Sequence, residues 1–193
     1  MIQETIVISQ NAEGIAHIAP MGVHVIPEGL LVMPFKPSTT LDNLQATGVA
    51  TINYCDDVRI FAGCLTGRRD WPLNQTEQIE GQYLSAALAH SEIELVDIED
   101  DELRPKLTCN IVHTGNHAPF QGFNRAQYSV IEAAILISRL HMLSWDKIES
   151  EIAYLKIGLD KTAGERELEA WAWLMTKVDD FKSQQQTKEN NSI

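Results

Sequence analysis

The chain has 193 residues, 44% of them apolar and 22% charged, which suits a globular fold of one domain or a domain with a subdomain. A chain of this length buries roughly 70% of its unfolded surface, so it needs no disulfide or metal to fold. Acidic residues outnumber basic ones 27 to 15, which excludes a broad nucleic-acid surface and requires any phosphate to be held locally.

The β-branched run Thr5-Ile-Val-Ile-Ser9 predicts a first strand, closed by a turn at Gln10 to Gly14. Ile15 to Val25 alternates, which places Ile15, His17, Ala19, Met21, Val23 and Val25 on one face. Glu28-Gly29 turns the chain and Leu30 to Phe35 returns. Next comes Lys36-Pro-Ser-Thr-Thr40, with one cation, three hydroxyls and free backbone amides. Thr40 or Asp42 can cap a short helix through Leu44, and such a helix N-terminus is a local phosphate cradle. The plain alternative for the same residues is a capped surface turn. Gly48 to Tyr54 and Arg59 to Leu65 read as strands separated by a turn at Asp56-Asp57. Ser91 to Asp97 and Lys106 to His113 read as a late pair joined by the solvated acidic turn Glu99-Asp-Asp-Glu102. Many short strands with close turns predict a barrel or sandwich.

The period changes after Phe123. Ala126 to Leu143 is apolar nearly all round and predicts a buried helix. Ser144 is placed to cap the next helix, with Gly158 as its stop, and Thr162-Ala-Gly-Glu165 fits a capping box. Leu168, Trp171, Met175 and Val178 fall on one face of a third helix. Trp145, Trp171 and Trp173 read as packing residues of this helical part. The reading divides the chain into a β domain at 1–121, a helical subdomain at 122–181 and a polar, disordered tail at 182–193.

Chemical motifs are sparse. No nucleophile elbow, P-loop or Gly-x-Gly-x-x-Gly is present. Cys64 lies in an apolar run and reads as a small buried group. Cys55, Cys64 and Cys109 are widely spaced, which points to a reducing compartment rather than a disulfide framework or zinc ribbon. His113 and His117 are four apart, but Thr114-Gly-Asn116 between them argues for a loop. Together with the absence of His-Glu-x-x-His, this leads us to expect no metal site. Arg125 at the entry to the buried helix needs an acid such as Glu132, or an anion. The N-terminus lacks a basic start before a long apolar run, and no apolar stretch reaches membrane-span length, so a cytoplasmic protein without a membrane partner is expected.

Taken together, Ile18-Ala-Pro-Met-Gly22, Lys36-Pro-Ser-Thr-Thr40, Val49-Ala-Thr-Ile-Asn53, Asn124-Arg-Ala126 and Val130-Ile-Glu-Ala133 resemble the domain of unknown function 447 family. That family is similar to flavin-reductase-like, FMN-binding split barrels, and the resemblance covers nearly the whole chain. It implies an α+β fold, a six-stranded antiparallel split β-barrel followed by a helical subdomain. It also implies a homodimer with FMN near the interface. Lys36, Ser38, Thr39 and Thr40, with Asn53 on the next strand, are the implied phosphate contacts, and Arg125 can reach the same group. Ala19-Pro-Met-Gly-Val23, with Pro20, Met21, Gly22 and Val23, is implied to pass beside the flavin ring, and His17, on the Met21 face of the same strand, is a further candidate contact in the cofactor and substrate site, with a structural role as the plain alternative. The implied activity is an FMN-dependent oxidoreductase acting on a small redox substrate such as NAD(P)H or a pterin. The alternative is a non-catalytic FMN-binding or storage protein, favoured by the missing acid–base set. A heme-binding split barrel is a third option.

Overall fold

β1 (Ile2–Gln10) is buried without a break from Thr5 to Ser9, so its β-branched run serves two packed faces. β2 (Ala16–Ile26) pairs with it antiparallel, and β3 (Gly29–Val32) returns across the tight turn. Gly29 is required there: its φ is 139°, and a Cβ would sit 2.4 Å from the Cys109 carbonyl oxygen. Helix α1 (Thr39–Thr47) follows, then β4 (Val49–Tyr54), α2 (Val58–Leu65), β5 (Leu73–Gln75), β6 (Gln82–Leu84), β7 (Ala89–Glu99) and β8 (Lys106–Asn116). The structure, a computed structural model, describes residues 1–190.

Six strands close into an antiparallel barrel in the order β1-β2-β3-β8-β7-β4, with β4 pairing back onto β1. The six-stranded barrel expected from the resemblance is therefore present. β5 and β6 form a separate two-stranded hairpin that the sequence reading did not anticipate, each strand being three residues long. The barrel core is Val7, Val23, Leu30, Val32, Ala50, Ile52, Ile93, Leu107 and Cys109, joined by Leu41 and Leu44 of α1. Each fully buried aliphatic side chain contributes about 1.5–3 kcal/mol.

Two compact units emerge, one of Met1–Asp56 with Asp70–Phe120 and one of Asp57–Arg69 with Gln121 onward. The segment Arg59 to Leu65, expected as a strand, is helix α2. Asp57 is its N-cap, accepting from Arg59 N at 3.2 Å, rather than a hairpin residue. An apolar run this short has no decisive period; Val58 and Ala62, one turn apart, bury in the helical core and settle the choice.

In the helical unit α3 (Arg125–Ser138) is capped by Asn124, whose Oδ1 accepts from Ala126 N at 2.8 Å. It ends before the expected Leu143 and passes through a 3-10 turn at Leu140–Met142. α4 (Trp145–Thr162) starts after Ser144, which makes no side-chain cap bond. Gly158 does not stop α4. A Cβ there would lie 2.6 Å from Ser129 Oγ and 3.3 Å from the Arg125 carbonyl oxygen, so Gly158 permits close helix approach. α5 (Glu165–Asn190) is capped by Glu167, which accepts from Gly164 N at 2.8 Å, two residues beyond the expected box. The expected disordered tail from Lys182 is helical to Asn190, with Ser183 Oγ and Thr187 Oγ1 each donating to the carbonyl four residues earlier at 2.9 Å. Its Gln, Lys and Glu residues are strong helix formers, so polarity there does not mean lack of helix. Residues 191–193 of that expected tail lie outside the described residues. No helix among the described residues is long and apolar enough to cross a membrane.

Candidate functional site

Ser38 sits before α1 in extended backbone (φ −146°, ψ 119°), and its Oγ accepts from Leu41 N at 3.3 Å. The first intrahelical bond of α1 is Asp42 N to Ser38 O, at 3.1 Å. The amides of Thr39 and Thr40 are therefore orphan donors of the first turn, where the helix dipole favours an anion. This terminus borders a cleft of about 750 Å³ lined by Lys36, Pro37, Ser38, Leu41, Asp42, Gln45, Ile98 and Asp100. The volume falls within the range of small-molecule sites.

Lys36 is not waiting for a ligand. Its Nζ lies 2.6 Å from Asp100 Oδ1, and the lysine holds the Asp100 carboxyl below its usual range. The acidic turn expected to be merely solvated thus supplies the partner of Lys36. It also anchors Leu103 N and Arg104 N on Asp101 Oδ1, at 2.9 and 2.7 Å. Thr39 is exposed beside the cleft, whereas Thr40 is buried at 1% exposure. Asn53 is committed inside the barrel unit. Its Nδ2 donates to Ile6 O at 3.1 Å and Thr51 Oγ1 at 3.0 Å, and its Oδ1 accepts from Leu84 N at 2.8 Å. With both ends of the carboxamide engaged, Asn53 is a clamp joining β1, β4 and β6 rather than an available phosphate contact. Arg125 opens α3 in the other unit and is exposed.

Pro20, Met21, Gly22 and Val23 lie on β2. The β2–β3 ladder covers only His24 to Ile26, whereas the β1–β2 ladder runs from Ala16 to His24. The stretch Pro20-Met-Gly22 therefore has a strand on one side only, among the described residues. Pro20 brings no amide to that open edge. Met21 is half-buried against the barrel core and Val23 is inside it, so Val23 is a core residue. Over Gly22 the room is taken by Ile2 Cγ2, 3.0 Å from where a Cβ would stand, and by Glu4. His17 pairs with Ser9 across β1 and is half-buried.

A second polar centre was missed by the sequence reading. On β7 and β8 the register sets Glu92 opposite His113 and His90 opposite Gly115, with an irregularity immediately after Glu92. Both His90 and Glu92 are fully buried. His90 Nδ1 lies 2.8 Å from His117 Nε2, and His90 Nε2 lies 3.4 Å from Glu92 Oε1. Glu92 accepts the amides of Glu77 (2.7 Å), Gln78 (2.8 Å) and Ile79 (2.9 Å). Burial lowers the His90 pKa by disfavouring the charged ring. Burial pushes Glu92 upward, but the three amides together outweigh it and hold the carboxyl below its ordinary range. The signal was present as His90-x-Glu92 and His113-x-Gly115-x-His117. A spacing of four suits a helix or a loop by sequence alone, whereas on a strand it returns to the same face. The run expected as a loop is the end of β8.

The two buried thiols, Cys64 and Cys109, are held in the neutral form. Burial pushes Cys64 up to about 11 and Cys109 up to about 12.

Two family models match the sequence, Protein of unknown function (DUF447) N-terminal domain over residues 3–118 and Protein of unknown function (DUF447) over residues 124–176. The chain belongs to the DUF447 family. No curated protein matches it. Among solved structures, this DUF447 chain is similar to an FMN-bound protein of the same family from Methanosarcina mazei. That match has 18% identity and a TM-score of 0.78, covering 91% of this chain and 94% of that one. It is also similar to 2-nitrobenzoate 2-nitroreductase from Pseudomonas fluorescens, at 20% identity and TM-score 0.52 over 58% and 64% of the two chains. Nitrilotriacetate monooxygenase component B from Mycobacterium thermoresistibile follows, at 14% identity and TM-score 0.54 over 63% and 73%. At these identities the likeness establishes the shared fold.

Proposed function

We propose that this DUF447 protein is an FMN-binding flavoprotein in which the FMN phosphate docks at the N-terminus of α1. The observation that carries the reading is the cleft lined by Lys36, Ser38 and Gln45 beside the first turn of α1, whose Thr39 and Thr40 amides lack helical acceptors. The FMN-bound family member with the same fold supports the choice of ligand. The residues fit a phosphate through Thr39, Ser38 and the two amides. Lys36 joins them when it exchanges Asp100 for the ligand. The open edge of β2 at Pro20 to Gly22 is the flat surface we assign to the ring. Bound FMN would supply the redox chemistry, while the protein positions it. We assign the turnover to a small redox substrate.

We also propose that the protein is a homodimer, as the family resemblance implies. Light scattering on the eluting protein should give twice the 21.6 kDa chain mass.

Thr39→Asp is the decisive variant. An acid in the first turn favours the helix but repels a phosphate. We expect FMN affinity to fall by at least about tenfold with the melting temperature maintained. FMN bound as tightly by Thr39→Asp as by the natural chain overturns the docking site. Reduced, FMN-loaded protein that no acceptor reoxidises faster than oxygen does points to storage instead of turnover.

A further inference from the structure

We propose that His90, Glu92 and His113 bind one divalent transition-metal ion of the zinc class, with His117 and the amides of Glu77 to Ile79 as its outer shell. Flavin binding at the α1 cleft plays no part in this inference. One ligand atom from each of the three residues lies within 4.8 Å of the others. Zinc holds nitrogen and oxygen ligands at 2.0–2.2 Å, which sets neighbouring ligand atoms about 3.3 Å apart in a tetrahedral site. His90 Nε2 and Glu92 Oε1 already stand at 3.4 Å. Only His113 has to close in, and it is the one ligand with solvent access, its side chain being 25% exposed.

The surroundings match what a metal needs beyond its ligands. An ion on His90 Nε2 places the ring proton on Nδ1, where His117 Nε2 accepts it at 2.8 Å. Backbone amides hold both carboxylate oxygens of Glu92, and Oε1 keeps a lone pair because only Glu77 N donates to it. Tyr83 stacks within 3° of parallel on His90 and His117, at centroid distances of 4.1 and 4.7 Å, which fixes both ring planes. Gly115 makes the room: a Cβ there would lie 2.6 Å from His90 Cε1. His113 Nε2 is buried with no hydrogen-bond partner, an unusual state for a buried nitrogen and one that an ion would resolve. Glu77 Oε2, 3.7 Å from that nitrogen, can reach the remaining coordination position from the exposed side. Two imidazoles and one carboxylate, with no thiol among them, favour zinc, cobalt or iron over calcium or magnesium.

The test uses the full chain after treatment with a chelator. Titration with zinc against a chromophoric competitor should show one saturable site per chain. His113→Ala should weaken it by at least about 100-fold, beyond the 10–100-fold typical of losing an outer-shell partner. Cobalt(II) in the unsubstituted chain should give ligand-field bands without thiolate-to-cobalt charge transfer. No saturable zinc uptake, equal affinity in a folded His113→Ala, or a thiolate signature with cobalt each overturns the site.

Discussion

The α1 cleft and the β7–β8 histidine centre belong to the same barrel unit but hold their charges in opposite ways. In the cleft, Lys36 and Asp100 meet in solvent, with 35% and 83% of their side chains exposed. Such a pair contributes little to stability and exchanges partners easily. In the histidine centre, Glu92 has no exposure and three backbone amides depend on it. A buried carboxylate of this kind is fixed, because removing it leaves several donors unsatisfied at once. One region suits a ligand that comes and goes; the other suits a permanent element of the fold.

Three substitutions break or sharpen this contrast. Glu92→Ala should have the largest effect, at least about 3 kcal/mol of unfolding free energy, since three amides lose their acceptor. Urea unfolding measures it, and a loss below about 1 kcal/mol would place Glu92 among the dispensable surface acids. Gly115→Ala should cost about 1–3 kcal/mol, because the new methyl meets the buried His90 ring, which has no space to retreat. For a chain of this size, each 1 kcal/mol lowers the melting midpoint by about 2–4 °C. Asp100→Asn should leave the midpoint in place and tighten FMN severalfold by releasing Lys36. Weaker FMN in Asp100→Asn would mean that the ion pair orders the cleft rather than competing with the ligand.

Some of this was legible in the chain. The alternation of Ile15 to Val25, the turns around Gly29 and the late strand pair depend on neighbours in sequence, and all three became barrel strands. Ser38 as the cap of α1 was less clear, since the reading favoured Thr40 or Asp42. Arg59 to Leu65 could not be assigned from its own residues. A short apolar segment fits either a strand or a helix, and Val58 and Ala62 meet their partners only in the helical core. The polar residues after Lys182 misled for a related reason, since charge and amide content do not mean lack of helix, which backbone propensity sets.

The sequence by itself placed a strand at each of the segments that became β1, β2, β3, β4, β7 and β8, and a hydroxyl-rich turn before a short helix, because local periodicity and turn chemistry act over a few residues. Tertiary structure alone decided that Lys36 is paired with Asp100, 64 positions away, and that Asn53 is a clamp. It also decided that buried His90 and Glu92 on β7 meet His113 of β8 and His117 just beyond its end. Those outcomes depend on strand register and loop closure, which bring together groups that nothing in their immediate neighbourhoods connects.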